Sequence, residues 1–176
     1  MTEQTPSPGM AYLKACLTAV VVLAVVVAYI VFGTVVLKLP NPWVGLLAVT
    51  AWGGLYANSL EHAPKVFIGS AAALLVGASQ WLLPTVLGPV AGAIVPLLII
   101  ILMLGGMLAG RCPVICNTAT FIMLTIVTLE ASIVGGHQHL LYLKDLAYGA
   151  VIFWFVPFVI SKITAAKAGK KDAATA

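Results

Sequence analysis

Between Pro113 and Val134 an otherwise apolar stretch places Asn117, Thr118, Thr120, Thr125, Thr128, Glu130 and Ser132, and Gly135-Gly136-His137-Gln138-His139 closes it. Groups of these types bind polar solutes, exchange protons or ligate metals. In lipid they are costly unless they face protein or water. On a helix turning about 100° per residue, Asn117, Thr118, Thr125, Thr128 and Ser132 fall within one arc of roughly 100°. Thr120 lies just off that arc and Glu130 points elsewhere. Two readings stay open: a solute-facing stripe, or a helix–helix seam in which Ser and Thr bond back to their own carbonyls. Asn117 carries the most weight, because an amide is not expected to satisfy itself so locally.

Other residues could share this chemistry. Thr50, Gly54, Asn58 and Glu61 follow one another at helical spacing and fall on one face, with His62 and Lys65 just beyond. They suit either a charged vestibule or an interfacial cluster in which Glu61 pairs with Lys65. Glu130 is an intramembrane acid and hence a candidate for proton coupling, with snorkelling or pairing to Lys144 as the alternative. Gln80 is a second-rank lining candidate. His137 and His139 form a His-x-His pair, a weak metal candidate, since no acidic or cysteine cluster completes a site. A solvated or pH-sensitive loop suits them better. The three cysteines, Cys16, Cys112 and Cys116, make no disulfide framework and read as small apolar residues. No phosphate-binding glycine loop, Ser/His/Asp set or zinc-protease motif is present, so the chain is not expected to be an enzyme and no cofactor is expected.

The elements that must position these residues follow from composition. Of 176 residues 62% are hydrophobic and 8% are charged, with a mean hydropathy of +1.12. A soluble surface takes about 25% charged residues, so the solvent here is lipid and not nucleic acid or bulk water. The expected fold is all-α, a polytopic protein of about six transmembrane helices of roughly 20 residues each. Ala15 to Leu37 is the first span and Trp43 to Ser59 the second. The third runs from Val66 to Leu83, the fourth from about Val90 to Ala109, the fifth from Pro113 to Val134, and the sixth from about Leu146 to Ile160. Three prolines and two glycines between Pro84 and Pro96 predict a broken or re-entrant segment there. Residues 1–9 form a polar, disordered tail, 10–165 a single transmembrane domain, and 166–176 a basic tail. With six spans Lys14, Lys65, Arg111, Lys162, Lys167, Lys170 and Lys171 share one side, and only Lys38 and Lys144 the other. The positive-inside rule then makes both termini cytoplasmic in a bacterial inner membrane.

The segment Trp43-Val-Gly-Leu-Leu-Ala-Val-Thr50-Ala-Trp-Gly-Gly, the run Thr118-Ala-Thr-Phe121 and the stretch Leu146-Ala-Tyr-Gly149 are similar to the YcdZ-like family of small bacterial inner-membrane proteins. The similarity covers most of Trp43 to Ile160; the N-terminal extension and the His137–His139 loop depart from it. It implies a polytopic membrane protein of unassigned activity and carries no functional residues across. The residues themselves point first to a homo-oligomeric channel or facilitator for a small neutral or weakly charged solute. Asn58, Glu61, Gln80, Asn117, Thr118, Thr125, Thr128 and Glu130 are its lining candidates. A proton-coupled transporter or exporter working through Glu130 and a non-transporting scaffold subunit are the alternatives.

Overall fold

The computed structural model describes residues 8–134 and 138–174, and every element among them is helical. The chain divides into two compact units, Met1–Leu39 and Pro40–Ala176. The first unit is one helix, α1 (Pro8–Val31), which widens into a π-helical turn at Phe32–Val36. Its stretch Cys16–Val36 is long and apolar enough to cross a membrane. The runs of valine in it would favour a strand in water. Without water to satisfy the backbone they stay helical. Thr34 sits in the wide turn and donates its hydroxyl back to the carbonyls of Ile30 at 2.9 Å and Val31 at 3.2 Å.

The second unit holds α2 (Trp43–Tyr56), α3 (Ala63–Leu87), α4 (Pro89–Leu108), α5 (Thr118–Val134) and α6 (His139–Ala150). A π-helical segment, Val151–Phe155, then carries α6 into α7 (Val156–Ala174). Pro157 explains that widening: it has no N–H and its ring crowds the carbonyl of Phe153, four residues back. Prolines also start α3 and α4, where the missing N–H costs nothing. α2 stops because Ala57 and Asn58 turn left-handed, with φ of 47° and 59°.

Four helical stretches are long and apolar enough to span a bilayer: Cys16–Val36, Ala63–Leu87, Pro89–Leu108 and His139–Ala166. Trp43–Tyr56 and Thr118–Thr128 are shorter apolar helices. The expected broken segment at 84–96 is replaced by a sharp helical hairpin. α3 runs straight through Pro84 to Leu87, the chain reverses at Gly88 with φ 83° and ψ 164°, and Pro89 starts α4. Only glycine adopts that backbone without strain. Gly92 then lies directly on the backbone of Pro84, and any side chain there would collide with it.

α3 is the hub, touching α2, α4, α5 and α6. It runs antiparallel to α4, with Gly92 over Pro84, and parallel to α5, with Gly69 at Thr120 and Gly77 at Val127. α6 runs beside α2 in the same direction and presses onto it where Gly149 meets Gly45. A methyl on Gly149 would come within 2.6 Å of the Gly45 Cα. The core between these helices is Val44, Ala48, Trp52, Val66, Phe67, Ala73, Leu74, Ala119, Met123 and Val127, all buried. Replacing Gly149 by Val is expected to lower stability in detergent by about 1–3 kcal/mol, the usual penalty of overpacking. Gly54→Ala, in open space, should leave the unfolding midpoint unchanged. Thermal unfolding of both variants checks the pair.

Candidate functional site

Asn117 is where the polar stripe begins, and it is buried. Its amide nitrogen donates to the carbonyls of Lys65 at 3.1 Å, Pro113 at 3.2 Å and Val114 at 3.0 Å. Its side-chain oxygen accepts from the Thr120 backbone N–H at 3.1 Å, capping α5. Contrary to the expectation from its residue type, the amide is fully satisfied by neighbouring backbone. One side chain thus ties the start of α3 to the start of α5 and faces neither solvent nor lipid. The approach is allowed by Gly69, whose missing side chain leaves room for Asn117 and Thr120.

The rest of the stripe faces the other way. Ala119, Thr120, Met123, Leu124 and Val127 turn into the core, whereas Thr118, Ile122, Thr125 and Thr128 are exposed on the opposite side of α5. Thr125 returns its hydroxyl hydrogen to the Phe121 carbonyl at 2.8 Å and leaves its lone pairs outward. Beside this face runs an open groove between α2 and α5, about 370 Å³ in volume, lined by Leu47, Thr50, Ala51, Gly54, Leu55, Ile122 and Ile126. Thr50 and Gly54 therefore face Ile122 and Ile126 of α5 across this groove, Thr50 with its hydroxyl bonded to the Leu46 carbonyl at 2.6 Å. Asn58 and Glu61 do not, because α2 ends at Tyr56. Asn58 sits in the following turn, exposed, with its amide over Gly53. Glu61 is exposed in the next turn, and His62 stacks on Tyr56 with ring centroids 5.0 Å apart.

At the opposite end of the unit a second polar group gathers around the start of α6. His139, buried, donates from Nε2 to the Val127 carbonyl at 3.2 Å and lies against Gly77. A hydrogen on Nε2 removes that nitrogen as a metal ligand. Among the described residues no group of three His, Cys, Asp or Glu side chains comes together as a metal site. His137 lies outside the described residues, as does the side chain of Glu130. Tyr142 donates its hydroxyl to Gln138 Oε1 at 3.2 Å, and the Asn41 amide donates to the same oxygen at 3.3 Å. Trp43 in turn donates to Asn41 Oδ1 at 3.0 Å.

Asp145 sits beneath this network, 0% exposed, and neither carboxyl oxygen has a side-chain partner or a well-formed hydrogen bond. The backbone of Asn41 approaches it, and Lys144 adjoins it on the exposed side of α6. The sequence offered a signal for this residue: an acid six residues into an apolar helix, one turn before Gly149. Its burial comes from the Gly149–Gly45 contact, which no single-helix pattern reveals.

Gln80 is half-buried and lines an open groove of about 320 Å³ with Ala93, Pro96, Leu97 and Ile100, between α3 and α4. This places it away from the α5 stripe. Two hydroxyls inside the bundle, Ser70 Oγ and Thr120 Oγ1, are buried without hydrogen-bond partners. Compared with protein-family models, curated proteins and solved structures, the chain matches none.

The seam between α3 and α5 is tightly packed, with Gly69 against Thr120 and Gly77 against Val127, and that has a measurable consequence. Removing an unpaired buried hydroxyl relieves a desolvation penalty of about 1 kcal/mol or more. Ser70→Ala is therefore expected to leave stability unchanged or raise it by about 1 kcal/mol, while Asn117→Ala should cost about 2 kcal/mol through the lost cap and the stranded carbonyls. Unfolding in detergent, followed by circular dichroism, measures both.

Proposed function

We propose that this chain is a small multi-pass membrane protein that lets a small neutral or weakly charged solute cross the bilayer. In this reading it works as a homo-oligomer, with the path along the outer face of α5 beside α2. The observation that carries the proposal is the outward display of Thr118, Thr125 and Thr128 on α5, the helix whose Ile122 and Ile126 wall the groove that holds Thr50 and Gly54. Among the described residues the interior of the unit is filled, with Val44, Val66 and Leu74 fully buried. A stripe of short hydroxyls on the rim of a protomer gains hydrogen-bonding company when a second copy or a wet path adjoins it.

Six crossings fit this arrangement. α2 and α5 reach only about 21 and 26 Å against a hydrocarbon core of about 30 Å, and the turns that flank them make up the remainder. The alternating directions of α2 through α6 are those of successive crossings, and the basic residues then gather on the side of both termini. That side is the cytoplasm of a bacterial cell in this proposal, in keeping with the resemblance to the YcdZ-like family.

The test is solute flux into liposomes carrying the full chain. Thr125→Leu together with Thr128→Leu is expected to cut flux by about tenfold, equivalent to one or two hydrogen bonds lost to the solute, with no loss of folded protein. In a background lacking Cys16, Cys112 and Cys116, Thr125→Cys is expected to crosslink between copies. Unchanged flux and no crosslink would refute the proposal.

A further inference from the structure

A carboxyl group with no side-chain partner inside an apolar helix bundle is among the most expensive groups a protein can carry in its charged form. Asp145 is such a group, and its surroundings are specific. It lies about 9 Å along α6 from the helix start, within the apolar stretch His139–Ala166. α6 is held against the beginning of α2 there, because Gly149 meets Gly45 one turn further on. The chain just before α2 approaches the carboxyl through the Asn41 backbone, and α2 starts without a side-chain cap, so its positive dipole end lies on that side. Between Asp145 and the aqueous end of the helix stands the hydrogen-bonded set of Tyr142, Asn41 and Gln138, of which Gln138 is exposed.

We propose that Asp145 is a proton-binding site in the α2–α6 seam, loaded from the Gln138 end, and that its protonation controls the solute path. The neutral acid fits a dry seam. Once the proton leaves toward the exposed Gln138 end, the carboxylate must recruit donors, and the one beside it is the backbone N–H of Asn41, just before α2. Taking it up shifts α2 against α6, and α2 carries Thr50 and Gly54 on the rim of the proposed path. A change at a titrating acid is thereby transmitted to the groove.

The other titratable groups around the seam are few. On α6 they are His139, Tyr142 and Tyr148, with Lys144 exposed. α3 carries none beyond Lys65 at its far end, and α2 carries only Tyr56 at its far end. On α5 the titratable residue is Glu130. His139 donates away from the seam, to Val127, and the Tyr142 hydroxyl is spent on Gln138. This leaves Asp145 as the group that must change charge for the seam to respond to acid.

The control of flux rests on the transport reading, whereas proton binding does not, and the experiment separates the two. The full chain in liposomes is followed by infrared difference spectroscopy and by solute flux, both as functions of pH. The wild type is expected to show the carbonyl band of a protonated carboxylic acid at neutral pH. Asp145→Asn, a neutral isostere that keeps the fold, should abolish that band, and Asp145→Glu should restore one at a shifted position. Flux should vary with pH in the wild type and lose that dependence in Asp145→Asn. Identical spectra for wild type and Asp145→Asn would overturn the proton site. The band difference with no wild-type flux would remove the transport reading and leave the proton site standing. The band difference with flux equally pH-dependent in Asp145→Asn would overturn the control of the path.

Discussion

Four helices must reach α3, and a helix can be approached on four sides only if its surface is small. α3 meets that constraint with Ala63, Gly69, Ser70, Ala73, Gly77 and Ala78, all buried. In lipid no hydrophobic force gathers helices, so close van der Waals contact and interhelical hydrogen bonds have to do so. Gly69 admits Asn117 and Thr120, Gly77 admits Val127 and His139, and the hairpin to α4 closes at Gly92. The same logic brings α6 onto α2 at Gly149 and Gly45. Three buried polar residues of the unit sit beside these approaches. Asn117 and His139 bond to backbone carbonyls across them, and Asp145 is trapped by one.

This geometry sorts the polar residues into two populations. Those turned inward are tied to backbone or sealed without a partner, and they organise the fold or store a titratable group. Of those turned outward, Thr50 on α2 and Thr125 on α5 satisfy their hydroxyl hydrogens at helix carbonyls, at little cost in lipid, and keep acceptor capacity for whatever lies alongside. The inward and outward faces of α5 are one helix read from two sides. Function, in this account, belongs to the outer side, and the inner side sets where it stands.

Much of the helical organisation was legible from hydropathy, since apolar runs of the right length leave few alternatives in lipid. The α5 stripe was legible too, because Thr118, Thr125 and Thr128 recur at helical spacing, and Thr120 was already off the arc that faces outward. What could not be read was the end of α2: Asn58 and Glu61 continue its periodicity, yet left-handed turns at Ala57 and Asn58 divert the chain. Proline content between Pro84 and Pro96 suggested a broken segment, whereas two prolines fit inside helices and a single glycine carries the reversal. Asn117 misled for a different reason. Its amide donates to the carbonyls of Pro113 and Val114 close by and of Lys65, fifty-two residues away, while its oxygen accepts from the Thr120 N–H, and the Lys65 contact is set by tertiary packing. Asp145 escaped because its neighbours on α2 are distant in sequence.

The central claim is that α5 turns a polar face outward and a dry face inward. Single cysteines placed along α5 in a background lacking the native ones, labelled in liposomes with a small polar thiol reagent, test it directly. The account predicts labelling at positions 118, 125 and 128, and silence at 120, 123 and 127. Labelling at 120, 123 and 127 with silence at 118, 125 and 128 would contradict it.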